Sequence, residues 1–457
     1  MIASLLELQA AYHEGRHTEV LKRYESLRQQ SVQPVAELRQ LAAQAYVRQG
    51  DLSQAVVEFL LAARAHAESR STSASVCMRN AFGALQRMGA QAAAEWAGLY
   101  SLTLPQSCDA DVSVLQQLFS SAQTARDTTA IGVLLSAASR FSSTRATSLE
   151  TLIDIARDSG KYGLIIGDAS PVASDVPAHK VSVIVCSRDD SRFARFSGEC
   201  VRAFASASYD IIRISDAKSM CEGYNRGMAQ ASGDLLVFCH DDIEFLSDRV
   251  DQALSAALSR ADVLSCVGAT ALAGPMWFSG DVLHLQGWMA APGDRGYVVG
   301  IAGVPDPREN LSTGDGCFIA CRADVARALH WDDTTFDSFH LYDMDFCARA
   351  RQGGYRLAVS RDIAINHHSY GNYDQTWQRY AARFLAKHAM LPAPVPRNQW
   401  VSVSAESRPN AARILRNLAA LVPLDWRAQL DARLASRQEK ATQEFPPLAL
   451  FFSAERG

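Results

Sequence analysis

Leu235-Leu236-Val237-Phe238 is an unbroken apolar run that stops at Cys239-His240-Asp241-Asp242 before Ile243 resumes the apolar character. Four such residues suit a buried parallel strand and fall short of a helix. Adjacent carboxylates at the carboxyl end of a buried strand repel each other and need a partner. A hard divalent cation is the usual one, and the crevice above the strand ends of an open α/β sheet is its usual place. The plainer alternative is a solvated turn that merely carries acids. The motifs further along the chain weigh against it.

With 457 residues the chain has room for two or three domains and a sizeable core. A net charge of -4 argues against a protein that binds nucleic acid through phosphate contacts. Glu7, His13 and Glu14 interrupt Met1–Gly15, which does not read as a secretory leader, and no run approaches a membrane span. The 10 cysteines form no C-x-x-C pair. Cys317 and Cys321 are the closest, with no histidine cluster to complete a zinc site. Reduced thiols fit a cytoplasmic protein best.

Residues 1–167, rich in Ala, Leu, Gln and Arg, are helical territory. Ala11-Tyr12-His13-Glu14-Gly15 recurs as Ala45-Tyr46-Val47-Arg48-Gln49-Gly50, with the tyrosines 34 positions apart. This resembles tetratricopeptide repeats, and the match fades after about Ala67. Stacked helix pairs of that kind offer a concave surface for a protein partner. A purely supporting role is an equal reading. Pro171, Pro177, Ser170 and Ser174 mark residues 168–179 as a linker.

Beyond it the pattern changes. Val181–Cys186 and Asp210–Ile214 read as strands, with helices over Phe193–Ala207 and around Tyr224-Asn225-Arg226-Gly227. Strands alternating with helices predict a doubly wound, mostly parallel sheet of the α/β class, ending in polar residues on one edge. The succession Ser187-Arg188-Asp189-Asp190, Ser215-Asp216, Tyr224-Asn225-Arg226-Gly227, His240-Asp241-Asp242 resembles family 2 glycosyltransferases with the GT-A fold. Downstream, Gly314-Asp315-Gly316 and Tyr342-Asp343-Met344-Asp345, followed by Arg349 and Gly354-Tyr355, extend the likeness across roughly residues 180–391.

The resemblance implies a nucleotide-sugar donor held by Ser187, Arg188, Asp189, Asp216, Asn225 and Asp241. It implies a divalent cation, Mn²⁺ or Mg²⁺, on Asp242 and on His367 or His368. Asp343 takes the place of the catalytic base. Two positions depart from the family pattern: His240 stands where an acid is common and is expected to pack, and Tyr342 replaces a glutamate. A helix-start role is the structural alternative for Asp343 and Asp345.

Gly274–Asn310 is a long connection, the kind that often binds something, and Trp277 and Trp288 are its candidate acceptor platforms. Asp315 and Asp345 join them on the acceptor side. The tail 392–457 includes the basic amphipathic stretch Ala411–Leu421, which suits either peripheral contact with the inner face of a membrane or packing on the catalytic domain.

The resulting expectation is an inverting, metal-dependent glycosyltransferase. It would move a sugar from a nucleotide-diphosphate donor to a hydroxyl of a glycan, a lipid-linked glycan or a protein. The competing reading is a non-catalytic scaffold with an inactive sugar-nucleotide domain. A nucleotidyltransferase would need a glycine-rich basic loop after its first strand, and Val181–Asp190 has neither glycine nor lysine.

Overall fold

The computed structural model describes residues 2–30, 34–69, 71, 73–104, 112–167, 179–204, 208–390 and 400–453. The chain divides into two compact units, one made of Met1–Ser148 with Trp426–Gly457 and the other of Leu149–Asp425. The expected linker at 168–179 lies almost wholly outside the described residues. The division itself falls earlier, inside the helix Ser142–Arg157.

Among its described residues the first unit is all helix. Gly50, at φ 83°, ends the helix Ala36–Gln49, and the Asp51 carboxylate accepts from the Gln54 amide at 3.1 Å to start Leu52–Glu68. Only the positive φ demands glycine there, since a Cβ would meet nothing within 4 Å. Arg126 (φ 54°) and Asp127 repeat the device before Thr128–Ala138. The helix-turn-helix alternation therefore continues well past Ala67. Between the helices Glu58 is fully buried, accepting from the Tyr24 hydroxyl and from Arg39 at 2.8 Å, with Arg28 at 3.5 Å. A buried carboxylate is tolerable only with such partners.

The helix Trp426–Glu444 packs against Gln91–Ser101 and Thr128–Ala138. Glu444 accepts from the amides of Ala92 and Ala93 at 2.6 and 3.1 Å, satisfying donors that a helix start leaves free. Arg433 forks onto Asp127 with both contacts at 3.0 Å, and Arg437 reaches Glu95 at 2.7 Å. From the sequence, residues 392–457 are expected to form a single tail. In the structure, 400–425 go with the α/β unit and 426–453 with the helices. An amphipathic helix shows that it has an apolar side but not what that side will meet.

A six-stranded sheet organises the α/β unit. From edge to edge it runs Leu357–Val359, Val263–Ser265, Phe318–Arg322, Leu235–Cys239, Val181–Cys186 and Tyr209–Ile214. Three of its five pairings are parallel, and Phe318–Arg322 is antiparallel to both neighbours. The result is a mixed sheet. Leu235–Cys239 is buried along its whole length, as expected of a strand covered on both faces. A second sheet, mostly antiparallel, includes Leu285–Gly293, Gly296–Gly303, Ile365–His367, Ile243–Phe245 and Val401–Ala405. Thus much of Gly274–Asn310, expected as a loop, is a β-hairpin. The helix Arg408–Leu421 buries Ala411, Ile414, Leu415 and Leu418 and packs on this hairpin. The apolar face suggested for a membrane is thereby covered by protein. Among the described residues, no helix is long and apolar enough to cross a membrane.

Trp426 is 2 % exposed, with Arg140 and Arg427 over its ring. Trp426→Ala should cost about 3–5 kcal/mol, the usual loss for a buried aromatic truncated to alanine. Denaturant unfolding followed by helical circular dichroism reads the shift, and a midpoint at the wild-type value would show that the returning helix contributes little.

Candidate functional site

The central strand delivers His240, Asp241 and Asp242 to the sheet edge, and the His240 amide bonds to the Cys317 carbonyl at 3.1 Å. The second sheet brings in the histidines. Ile365–His367 pairs antiparallel with Ile243–Phe245, placing His367 opposite Ile243, next to Asp242. The His368 amide closes the corner on the Asp242 carbonyl at 3.0 Å. In consequence Asp242 Oδ1 lies 3.5 Å from His367 Nε2 and 3.7 Å from His240 Nδ1, with those two nitrogens 3.3 Å apart. The oxygen is buried and has no hydrogen-bond donor. Burial opposes its charge, but His367, His240 and Ser369 more than compensate and hold the carboxyl well below its usual range. Burial and the neighbouring His367 push His240 down, while His367 is raised because Asp242 and Asp315 outweigh its burial.

Two imidazole nitrogens and a carboxylate oxygen within 4.8 Å of one another form a donor set that fits a divalent cation, with Mn²⁺ accepting nitrogen readily. His240, expected from the sequence to pack, is part of this set in the structure. His368 points elsewhere, 3.6 Å from Glu244 and half exposed. Of the two candidate histidines, only His367 is in the group.

The helix Tyr342–Gln352 begins after Leu341, whose φ of 61° turns the chain sharply. Asp343, in its first turn, accepts from the Gly316 amide at 3.0 Å. The Tyr342 hydroxyl donates to the Gly316 carbonyl at 3.2 Å and lies 2.5 Å from His240 Nε2. Gly316 is obligatory here, because a Cβ would sit 2.5 Å from that hydroxyl and 2.7 Å from the Asp343 Cβ. Burial, followed by repulsion from Asp315, raises the Asp343 carboxyl to about 7. Asp315 itself is fixed by the Trp277 indole N–H and the Cys317 amide, both at 2.8 Å.

Asp345 has another role. It is 1 % exposed and gathers Arg349 at 2.7 Å, Lys387 at 2.5 Å and His388 at 3.0 Å. Those partners occupy its carboxylate, which is unsuited to the acceptor contact expected of it.

Along the adjoining edge, Ser187 donates to Asp241 at 2.7 Å. Arg188 reaches the Ala217 carbonyl at 2.6 Å and covers the Phe339 ring. Asp189 caps the helix Asp190–Ala203 through the Arg192 amide at 2.9 Å. Asp216 is largely exposed and pairs with Arg226 at 2.8 Å. Asn225 uses both ends of its amide to brace Trp331, at 2.8 and 3.0 Å. Ser187 and Asp241 thus adjoin the donor set, whereas Asn225 serves the fold.

A cleft of about 390 Å³ opens beside these groups. His240, Asp315, Gly316, Asp343 and His367 line it together with Trp277, Phe278, Phe339, Tyr370, Tyr373, Trp377 and Trp400. Trp277 is therefore a wall residue. Trp288, 1 % exposed in its strand, belongs to the core instead. Trp400 went unnoticed in the sequence because it lies far along the chain. The aromatic run Tyr370, Tyr373, Trp377 just after the histidine pair was a signal that the sequence did offer.

Residues 182–388 match the model of the "Glycosyltransferase like family". Over those residues the α/β unit is accordingly similar to glycosyltransferase domains. No curated protein matches the chain by sequence. Solved structures similar to it include GalNAc-T7 with UDP, GalNAc and Mn²⁺, at 10 % identity and a TM-score of 0.33 over 46 % of this chain. The chain spans about half of that protein, 48 %. Another is the mannosyltransferase PcManGT from Pyrobaculum calidifontis with GDP-Man and Mn²⁺, at 12 % identity and a TM-score of 0.31, covering 72 % of this chain and 91 % of that one.

A carboxyl raised to about 7 in the folded state disfavours folding as soon as it must ionise, so its cost grows from acid pH up to that value and is complete above it. Asp343→Asn should therefore make the metal-free protein more stable at pH 8 by roughly 2–4 kcal/mol, with the gain shrinking toward pH 4. Urea unfolding at the two pH values measures it. An equal effect at both would contradict the raised carboxyl.

Proposed function

We propose that this glycosyltransferase domain moves a sugar from a nucleotide-diphosphate donor to an acceptor hydroxyl with inversion at the anomeric carbon. The observation that carries the reading is Asp343, a carboxylate fixed by the Gly316 amide, raised to about 7, and facing the same cleft as His240 and His367. A base tuned near neutral pH is suited to taking a proton from an alcohol.

In the reaction, the acceptor oxygen forms a bond to the anomeric carbon while its proton passes to an Asp343 carboxylate oxygen. The bond from that carbon to the diphosphate oxygen breaks on the opposite face, and the nucleoside diphosphate leaves with the electron pair. His240, Asp242 and His367 would hold the divalent cation, which when bound offsets the charge that grows on the leaving diphosphate. Ser187 orients Asp241 at the same edge, where a ribose hydroxyl can be held. Tyr342, by donating to Gly316, presents its oxygen as an acceptor to the His240 Nε2–H. That fixes the tautomer whose Nδ1 lone pair faces Asp242 and His367. Imidazole ligands ordinarily need such an outer partner.

Turnover by Asp343→Asn should fall by about 10²–10⁴-fold. In the wild type, kcat/KM should climb as pH rises through about 7, where the base loses its proton, and level off above it. A profile flat from pH 5 to 9 would remove Asp343 from the role. Nucleotide release from a panel of nucleotide sugars supplies the assay, and full activity in excess chelator would eliminate the cation.

Tyr342→Phe keeps the ring but loses the hydroxyl. Mn²⁺ affinity, followed by electron paramagnetic resonance of the free ion, should weaken about 10–100-fold.

A further inference from the structure

We infer that the cleft beside Asp343 receives an uncharged sugar of a glycan by its ring face and excludes acceptors that carry phosphate near the reacting hydroxyl. This deepens the transferase reading and rests on it. Two independent features of the cleft support it, its charge and its walls.

Among the described residues lining the cleft there is neither lysine nor arginine, while Asp315 and Asp343 are both present. A phosphate entering this half-enclosed space would meet two carboxylates, while the Arg188 guanidinium over the Phe339 ring is already engaged by the Ala217 carbonyl. Outside water, like charges are costly at such range, and a desolvated anion without a partner costs more still. The cation proposed on His240, Asp242 and His367 belongs to the donor's diphosphate and is not free to serve a second one. Lipid diphosphates and phosphorylated glycans therefore fit this cleft poorly. A neutral hydroxyl compound faces no such penalty, and its reacting oxygen finds the base.

The walls are rings set at steep angles. Trp277 and Trp400 have centroids 5.5 Å apart with planes at 89°, and Tyr373 meets Trp377 at 5.2 Å and 81°. The Trp277 indole is locked by Asp315, and Trp400 packs where a Cβ on Gly300 would come within 2.8 Å of its ring. Phe339 and Tyr370, which also line the cleft, are 43 % and 71 % exposed, and Tyr370 is tethered by its hydroxyl to the Pro292 carbonyl at 2.6 Å. Exposed aromatics gathered around a concave site mark a binding surface. The C–H face of a pyranose carries slight positive charge and settles on the negative face of an aromatic ring. Its equatorial hydroxyls would turn to Ser369, Asn372 and Ser402 on the same walls. This alternation of rings and small polar groups suits a sugar, which is itself apolar on its faces and polar at its rim.

The test is binding of the full-length protein, with Mn²⁺ present, to an array of neutral glycans, the same glycans sulfated or phosphorylated, a farnesyl-diphosphate-linked sugar, and serine- and threonine-rich peptides. The expected result is binding to a subset of neutral glycans, at least tenfold weaker for their phosphorylated or sulfated forms. Trp377→Ala and Tyr370→Ala, each checked for an unchanged melting curve, should weaken that binding by at least tenfold. Tighter binding of phosphorylated, lipid-diphosphate or peptide probes overturns the inference, as does binding to none, or binding unchanged in both variants. Nucleotide release from donor sugars without any acceptor is measured separately. Its absence would refute the transferase reading, whereas donor turnover with a failed array would refute only the acceptor class.

Discussion

Negative charge gathered at one edge of a buried sheet has to be answered locally, and each acid here is answered by a different kind of group. Asp241 has the Ser187 hydroxyl at 2.7 Å and the Arg192 guanidinium at 3.9 Å. Two imidazoles crowd the Asp242 oxygen. Asp315 is held by an indole N–H and a backbone amide. Asp343 has the Gly316 amide but, among the described residues, no cation, and its carboxyl is pushed upward to about 7. The distribution of partners, more than the acids themselves, separates Asp242, held well below the usual carboxylate range, from Asp343, raised toward neutral pH.

The sequence made the frame of this edge readable because strands and acids are local signals. Val181–Cys186, Leu235–Cys239 and the helix at Asp343 were all expected, and the structure has them. What it could not reveal was pairing. The choice between His367 and His368 depended on which face of Ile365–His367 meets Ile243–Phe245, a matter of register across more than a hundred residues. The role of His240 likewise depended on a tyrosine 102 positions away. Trp288 and Asp345 look like Trp277 and Asp343 in the sequence. Both tryptophans are buried, but Trp277 alone of the two lines the cleft, and Asp345 is set apart from Asp343 by its ion partners.

The helical unit divides in the same way. The glycine turn and the aspartate that follows it are local chemistry, and Gly50-Asp51 was legible. Arg126-Asp127 makes a similar turn without glycine, so a search for the repeat loses it. The connection of Arg433 to Asp127 spans 306 positions and leaves no trace in any window of the sequence. Long-range ion pairs of this sort fix where a helix docks after its amphipathic pattern has fixed only that it is a helix.

Because Trp426–Gly457 completes a unit that began at Met1, the α/β unit is inserted in chain order within the helical one. On the ribosome, the early helices must wait, with the surfaces meant for Trp426 and Phe451 uncovered, while some 277 intervening residues, Leu149 to Asp425, are made. At ordinary elongation rates of about 5–20 residues per second that interval is on the order of tens of seconds. Every residue of the α/β unit is therefore made before the helical unit receives its last helices. Synthesis that stopped early would leave the first helices without the segment that covers Trp96.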